Sequence, residues 1–228
     1  MGKSVVTDLK QLWSDFVKVY PASLSKITAN WQISIACMFA IVSSFYLDSA
    51  VRELVIGIKN NYAADAFDFG RWYGNGQITL YLFLGLYFSG LLIKHFKIRE
   101  TGLLIGEAYI FSGLITLIFK SFTGRWRPYT NHGDFSFNGW NFTDNDQFSF
   151  FSGHATVAFA LSAVLASSTK NIYLKFFYYS LAVLTCLSRI YHEQHWFSDV
   201  VAGAINAILF TRVLVALRRQ RITGEDIV

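Results

Sequence analysis

The sequence is short of charged residues. Lysine, arginine, aspartate and glutamate make up only 15% of its 228 residues, whereas they make up about 25% of soluble domains. A composition this poor in charge excludes an ordinary soluble domain. Hydrophobic residues instead make up 53% of the chain. These proportions indicate a membrane protein with short loops and one compact domain, residues 1–228.

Cysteine is also scarce, which limits the covalent and metal chemistry that the chain can support. Cys37 and Cys186 each lie inside an apolar run, so we interpret them as buried thiols rather than a disulfide. Their spacing is not that of a metal site, and we predict no metal and no cofactor. The N-terminus also lacks the continuous apolar core of a signal peptide.

The N-terminal stretch MGKSVVTDLKQLWSDFVKVYP predicts an amphipathic helix on the membrane surface. Its apolar residues recur at helical spacing from Val5 to Val17, with Asp8 and Asp15 between them. The alternative is a helix that packs within the protein. Six apolar runs follow and predict transmembrane helices: Trp31–Leu47, Ile78–Ile93, Thr101–Phe119, His154–Ser167, Tyr173–Leu187 and Val200–Leu217. We therefore predict an all-α fold, a six-transmembrane helix bundle with an N-terminal amphipathic interfacial helix.

The basic residues predict how this bundle is oriented. Nucleic acid is one partner for a protein of net charge +5, but these basic residues lie between apolar runs, and orientation in a bilayer explains them better. With the N-terminus in the cytoplasm, the cytoplasmic segments carry twelve lysines and arginines. The other side carries seven, namely Arg52, Lys59, Arg71, Lys120, Arg125, Arg127 and Arg189. This bias predicts a multi-pass protein, as in a bacterial inner membrane, with both termini cytoplasmic.

In this topology, the polar residues at four helix ends meet on the extracytoplasmic side. The first motif, K-x6-R-P, joins Lys120 to Arg127 and Pro128, and two such cations can hold one anion. Read alone, it is also a common pattern for side chains that extend to the membrane surface. The second motif, Ser152-Gly153-His154, places a hydroxyl and free backbone N–H groups at a helix start, where anions bind. The alternative is an ordinary serine cap.

The third motif is Ser188-Arg189-IYHEQ-His195-WFS-Asp199. If the run after it is helical, His195 and Asp199 share a face, and the carboxylate can fix the tautomer of the imidazole. The alternative is an interfacial loop with a capping aspartate. Together the motifs provide three cations, two histidines, an aspartate and an anion-binding turn. These are the parts of a phosphoryl-transfer site that uses a histidine nucleophile.

In order and position, the three motifs resemble those of the type 2 phosphatidic acid phosphatase (PAP2) superfamily. That superfamily also includes vanadium haloperoxidases and glucose-6-phosphatase. The resemblance covers about residues 100–217, with one departure: Phe151 stands where the family usually has proline. It implies that His195 attacks phosphorus, that Asp199 orients it, and that His154 protonates the leaving group and then activates water. It also implies a phosphate site formed by Lys120, Arg127, Ser152, Gly153 and Arg189.

Two other groups of ionisable residues receive structural interpretations. The loose H-E-x-H of His192, Glu193 and His195 lacks the i, i+4 histidines and the third ligand of a helical zinc site. Glu107 lies in the third apolar run, about 20 Å from Lys120 by helical rise. That separation places it towards the cytoplasmic face, away from the motifs.

The resemblance and the six apolar runs together predict a metal-independent integral-membrane lipid phosphatase. Its expected substrate is a phosphomonoester or diphosphate of a phospholipid or polyprenyl lipid, such as phosphatidate, phosphatidylglycerophosphate or undecaprenyl diphosphate. We expect the site to face the extracytoplasmic surface and the protein to bind no nucleic acid. One alternative is a phosphatase of soluble esters, as in the glucose-6-phosphatase branch. Another is a non-catalytic or transport protein on the same fold.

Overall fold

The computed structural model describes residues 2–58 and 61–223, and these residues form an all-α fold, as predicted. Lys59 of the charge count lies outside the described residues. The helices are α1 (Gly2–Ala29), α2 (Trp31–Phe45), α3 (Asp48–Ile56), α4 (Asn61–Tyr73), α5 (Gly76–Leu92), α6 (Phe96–Thr123), α7 (Gly153–Ser167), α8 (Ile172–Tyr191) and α9 (Phe197–Thr223). Between α6 and α7 runs a long loop with two 3₁₀ turns, Pro128–Thr130 and Asn145–Gln147.

The six predicted spans all lie in helices, but fewer of them have the dimensions of a complete membrane crossing. Among the described residues, α6 and α9 are long and apolar enough to cross a membrane. The pair α1 and α2, bent by 92°, passes the same criterion only when it is taken together. Helices α5 and α7 are apolar but shorter. The structure therefore has two or three candidate spans rather than the six predicted.

Helix α7 lies at the centre of the bundle, packed against α6, α8 and α9. Its buried residues are mainly small, including Ala155, Ala158 and Ala163. Small side chains let helix backbones approach closely. The same closeness is seen at Gly203 of α9, where an added Cβ would lie 2.7 Å from the carbonyl oxygen of Ser152. The start of α7 is thus held firmly against α9.

The segment between the first two apolar runs, Asp48–Gln77, called here the connector, contains α3 and α4. Helix α4 packs on α8 at Gly70, where a Cβ would lie only 2.7 Å from the Leu184 carbonyl oxygen. The hydroxyl of Thr185 also donates to the Gly70 carbonyl at 2.8 Å. Because α8 leads to the third motif, this contact places α4 beside it.

Helix α1 packs against α9, as the alternative interpretation of this stretch expects. A position at the membrane surface stays a prediction. The polar face of α1 points into the bundle and its apolar face points outward, which is the reverse of a helix that packs on a protein core in water. Asp8 and Asp15 are buried, whereas Leu9 and Trp13 are 60% and 68% exposed. Asp8 accepts a hydrogen bond from the Tyr87 hydroxyl at 3.0 Å. The carboxylates face inward because the bundle supplies their partners, and the apolar face points away from it.

Asp15 finds its partners in a cluster of acidic and basic residues that links α1, α6 and α9. Arg218 of α9 contacts Glu107 and Glu100 of α6, each at 2.6 Å. Asp15 of α1 pairs with Arg218 at 3.4 Å and also with Arg221. Glu107 is fully buried in this cluster, which gives it the structural place that we expected. The two cysteines are free thiols, as predicted, but they are half-buried and not buried.

Candidate active site

The predicted site residues lie together where α6, α7, α8 and α9 begin or end. The Ser152 N–H, before α7, donates to the Asp199 carbonyl in α9 at 3.0 Å. The His195 N–H donates to the Arg189 carbonyl at the end of α8 at 3.3 Å. Lys120, near the end of α6, donates to the carbonyl of Ser149 at 3.3 Å. Backbone contacts between these ends therefore fix the separation of the motifs.

His195 is almost completely buried, in the turn between α8 and α9. Its Nδ1 lies 3.5 Å from Asp199 Oδ2 and has no hydrogen-bond partner among the described residues. The two groups thus face each other as the i, i+4 spacing predicts, at a distance longer than an ordinary hydrogen bond. Burial, aided by the charge of Lys120, holds the pKa of His195 well below its usual value. The imidazole is therefore neutral near pH 7.

Asp199 is held by more than the histidine. Its Oδ2 accepts hydrogen bonds from the Trp196 N–H, at 2.9 Å, and from the Ser149 hydroxyl. Its Oδ1 accepts from a guanidinium nitrogen of Arg125 at 2.6 Å. Both carboxylate oxygens are occupied, and the residue is fully buried. The orientation of Asp199 is therefore fixed independently of His195.

Arg125 is the important residue that the sequence reasoning missed. It is fully buried and bridges two carboxylates, Asp199 and Asp48, each at 2.6 Å. It also donates to the Ser198 hydroxyl at 2.6 Å, and Ser198 in turn donates to Asp48 at 2.7 Å. Four aromatic rings surround its guanidinium within 6 Å: Phe45, Phe137, Phe150 and Trp196. A strap of Asp48, Arg125 and Ser198 therefore connects α3 to the start of α9.

The three cations of the predicted phosphate site differ from Arg125 in one respect. None of Lys120, Arg127 and Arg189 forms an ion pair with a carboxylate in the part of the chain that the structure describes. Arg127 is held by neutral oxygens, those of Asn145 at 2.8 and 3.0 Å and the Gln194 side chain at 2.8 Å. The buried Nε of Arg189 has no partner among the described residues. Buried charge without a counterion is costly, so this arrangement suits an anionic ligand.

The turn before α7 supports both interpretations of its serine. The Ser152 hydroxyl caps the helix by accepting from the Ala155 N–H at 3.4 Å, and it retains its own proton to donate. Space beside Gly153 is open, since an added Cβ would meet no atom within 4 Å. Phe151, at the family's proline position, is buried and stacks on Phe119 with ring centroids 4.4 Å apart. Packing thus holds this turn where a proline ring would otherwise do so.

His154 is half-buried and lines a cavity of about 680 Å³ together with Arg189. The cavity is also lined by Asp68, Arg71 and Trp72 of α4 and by Asn75, which follows the helix. In the H-E-x-H sequence, the two residues besides His195 contact different partners. His192 Nε2 lies 3.4 Å from Asp68, and Glu193 pairs with Arg52. Metal-independent chemistry remains a prediction.

The family of the chain is shown by a match to the region that contains the site. A family model described as the PAP2 superfamily matches residues 101–223, more than half of the chain. The chain belongs to the PAP2 superfamily. It is a multi-pass membrane lipid phosphatase of that superfamily, as the motifs predicted. The matched segment contains all the predicted site residues, whereas Asp48 and the α4 wall of the cavity lie outside it.

Two curated PAP2 relatives are similar over most of the chain. A lipid A 1-phosphatase of Rhizobium etli is 28% identical over 195 residues, which cover 76% of this chain and 79% of that protein. A lipid A 1-phosphatase of Rhizobium johnstonii is 28% identical over 213 residues, covering 80% and 82%. The activity in each of these names is that of the relative.

Two crystal structures share the PAP2 fold with this chain. LpxE of Aquifex aeolicus has a TM-score of 0.57 and 20% identity, and the match covers 75% of this chain and 95% of that one. The transmembrane PAP2-type phosphatidylglycerolphosphate phosphatase of Bacillus subtilis has a TM-score of 0.60 and 18% identity, covering 92% and 96%. These matches extend beyond α6–α9, so the fold likeness includes helices outside the motif region.

Proposed function

We propose that the protein hydrolyses the phosphomonoester of a membrane lipid through a phosphohistidine formed on His195. The observation that carries this proposal is the difference in pairing among the buried arginines. Among the described residues, Arg125 and Arg218 each contact at least two carboxylates, whereas Arg127 and Arg189 contact none. The charges of Lys120 and Arg127 act on the buried His195, and the Arg189 carbonyl accepts from the His195 N–H. An incoming phosphate would supply the missing negative charge.

In the first step, the lone pair on Nε2 of His195 attacks phosphorus. Asp199, held by Arg125 and by the Trp196 N–H, faces Nδ1, which carries the proton in this tautomer. The bond between phosphorus and the leaving oxygen breaks, and its electron pair stays on that oxygen. Lys120, Arg127 and Arg189, with the Ser152 hydroxyl and the Gly153 N–H, stabilise the charge on the phosphoryl oxygens.

His154 serves both halves of the reaction. It acts first in its protonated form and donates that proton to the leaving oxygen, which departs as an alcohol. The resulting neutral imidazole then takes a proton from water, and the water oxygen attacks phosphorus. The phosphorus–nitrogen bond breaks, its electron pair returns to His195, and inorganic phosphate leaves. Acid and base roles of this kind contribute about 10²–10⁴-fold to a rate.

The two curated relatives support including phosphorylated glycolipids among the substrates, because both are lipid A 1-phosphatases. The proposed screen therefore compares lipid A 1-phosphate, phosphatidate, phosphatidylglycerophosphate and undecaprenyl diphosphate. A phosphatase of soluble esters is the second candidate, and the open cavity beside His154 is compatible with it. Dilution of a lipid substrate in detergent micelles distinguishes the two, since only an enzyme acting at the micelle surface slows as surface concentration falls.

The decisive experiment uses the two histidines, to which the mechanism assigns different steps. His195→Ala should abolish turnover of every substrate, because no covalent intermediate can form. His154→Ala should form the intermediate from p-nitrophenyl phosphate, whose leaving group needs little protonation, but should hydrolyse it slowly. Labelled phosphate should then accumulate on the protein in an acid-labile form. If His195→Ala accumulates the label and His154→Ala does not, the two roles are reversed.

A further inference from the structure

We propose that one face of α4 forms a second subsite, which binds a hydroxyl-rich, sugar-type head group on the leaving side of the phosphate. This inference rests on the proposed function, since it assigns the part of the substrate to which the phosphate is attached. The face consists of Asp68, Arg71 and Trp72, and Asn75 follows it just after the helix; these four residues are called here the α4 polar stripe. None of these residues belongs to the three motifs.

The spacing of the α4 polar stripe is that of one helix face. Positions 68, 71 and 72 follow the i, i+3, i+4 pattern, so they lie on one face of the helix. Asn75 lies just beyond the end of α4, as the N-cap residue of α5. The neighbouring face packs on the bundle through Phe67 and Gly70, and Gly74 continues it beyond the end of the helix. A Cβ on Gly74 would lie 2.9 Å from the His154 carbonyl oxygen. This close packing holds the polar stripe beside the proposed acid.

The cavity that the stripe lines is much larger than a phosphate group needs. Its volume is about 680 Å³, within the range of about 300–1,000 Å³ for sites that take a whole small molecule. His154 and Arg189 form its inner wall, whereas the buried nucleophile His195 does not line it. In an in-line displacement, the nucleophile and the leaving group lie on opposite sides of phosphorus. The cavity on the His154 side is therefore the place for the leaving group.

The chemistry of the stripe favours hydroxyl groups over an alkyl chain or a second phosphate. Asp68 lies 3.4 Å from both Arg71 and His192 Nε2, so its carboxylate already has a cation beside it. The Asp68–Arg71 pair has no net charge, and a second phosphate would be repelled by Asp68 as much as attracted by Arg71. Hydroxyl groups can donate to Asp68 and accept from Arg71. A sugar ring presents several hydroxyls and an apolar face, to which the partly exposed ring of Trp72 is suited.

The test compares three substrates that share the reacting phosphate but differ in the leaving group. They are lipid A 1-phosphate, a phosphatidate with matched acyl chains in the same detergent, and p-nitrophenyl phosphate. Asp68→Asn and Arg71→Gln each remove one charge at nearly constant size. Asp65→Asn is the matched control, because Asp65 is exposed on the same helix one turn away and does not line the cavity.

For each stripe variant we expect kcat/KM on lipid A 1-phosphate to fall about tenfold or more, as for the loss of a hydrogen bond to a charged group. On phosphatidate and p-nitrophenyl phosphate the fall should be much smaller, and Asp65→Asn should match the wild type on all three. An equal fall on every substrate would show that the stripe is only structural and would overturn the subsite.

Two wild-type outcomes separate this inference from the function on which it rests. If the wild type hydrolyses phosphatidate but not lipid A 1-phosphate, the sugar subsite is wrong and the lipid phosphatase stands. If the wild type hydrolyses p-nitrophenyl phosphate but none of the lipids, both the proposed function and the subsite are refuted.

Discussion

Replacement of Arg125 by lysine tests whether the strap of Asp48, Arg125 and Ser198 positions Asp199 for catalysis. Lysine keeps the positive charge, but its single ammonium group cannot reproduce the planar fork of a guanidinium. In the native protein that fork contacts both carboxylates at 2.6 Å and the Ser198 hydroxyl at 2.6 Å. The variant must therefore leave at least one buried carboxylate without its partner.

The expected magnitudes follow from this geometry. Breaking a buried ion pair by removing one partner costs about 3–5 kcal/mol, and the retained charge places Arg125→Lys near the lower end. Asp199 would also lose the contact that fixes its Oδ1. A displacement of about 1 Å in a positioned group can cost about 10²-fold in rate. We therefore expect kcat to fall by about that factor, with KM changed much less because Arg125 does not touch the proposed phosphate site.

The assay follows stability and rate separately. Tryptophan fluorescence gives the thermal unfolding midpoint in detergent, and quenched-flow labelling gives the rate of phosphohistidine formation from p-nitrophenyl phosphate. Rates are compared at a temperature where every variant is folded. Asp48→Asn is the control at the far end of the strap, because it preserves the shape of the side chain and leaves the contact between Arg125 and Asp199 in place. Its kcat should stay within about threefold of the wild type.

Two results would refute this reasoning. If Arg125→Lys keeps the wild-type rate of phosphohistidine formation, Asp199 does not depend on the strap for its position. If Arg125→Lys and Asp48→Asn slow that step equally when both are folded, the loss of rate does not come from the contact between Arg125 and Asp199.

Three further predictions concern the nucleophile, metal dependence and sidedness. Because burial and Lys120 hold the pKa of His195 well below its usual value, its ring should remain neutral at mildly acidic pH, where an ordinary histidine is protonated. Nitrogen NMR checks this, and protonation near pH 6.5 would contradict it. The purified enzyme should keep its rate in EDTA, with vanadate a competitive inhibitor; loss restored only by Mg²⁺ or Zn²⁺ would rule out the metal-free mechanism. With Cys37 and Cys186 changed to serine, Asn138→Cys should react with an impermeant thiol reagent on intact cells, whereas labelling only after lysis would reverse the topology.

The helices and the motif residues are predictable because their signals are local. Each apolar run lies in a helix, and the catalytic motifs occupy helix ends, where the chain changes from apolar to polar. The i, i+4 spacing of His195 and Asp199 predicts that they face each other, and they do, although His195 lies in the turn before α9. The number of complete spans is less predictable, since α5 and α7 are apolar but short.

The contacts between distant segments are not predictable in this way. Arg125 and Arg127 stand two residues apart, and nothing local shows which of them is paired with carboxylates. The partner Asp48 is 77 residues from Arg125. The direction in which α1 faces is equally hidden, because helical periodicity identifies an apolar face but not whether lipid or protein covers it. The polar stripe of α4, by contrast, has a 3.6-residue period that a closer search of the connector could have found.

The cluster that links α1, α6 and α9 has a consequence for how the chain is assembled during synthesis. Asp15, Glu100 and Glu107 emerge from the ribosome long before Arg218 and Arg221, which pair with them. Until α9 is complete, these three carboxylates lack the arginines that pair with them, and they cannot settle into an apolar environment at low cost. Closure of this end of the bundle must therefore wait for the last helix. A nascent chain that stops before residue 218 would hold its acidic helices apart and present them to quality-control proteases.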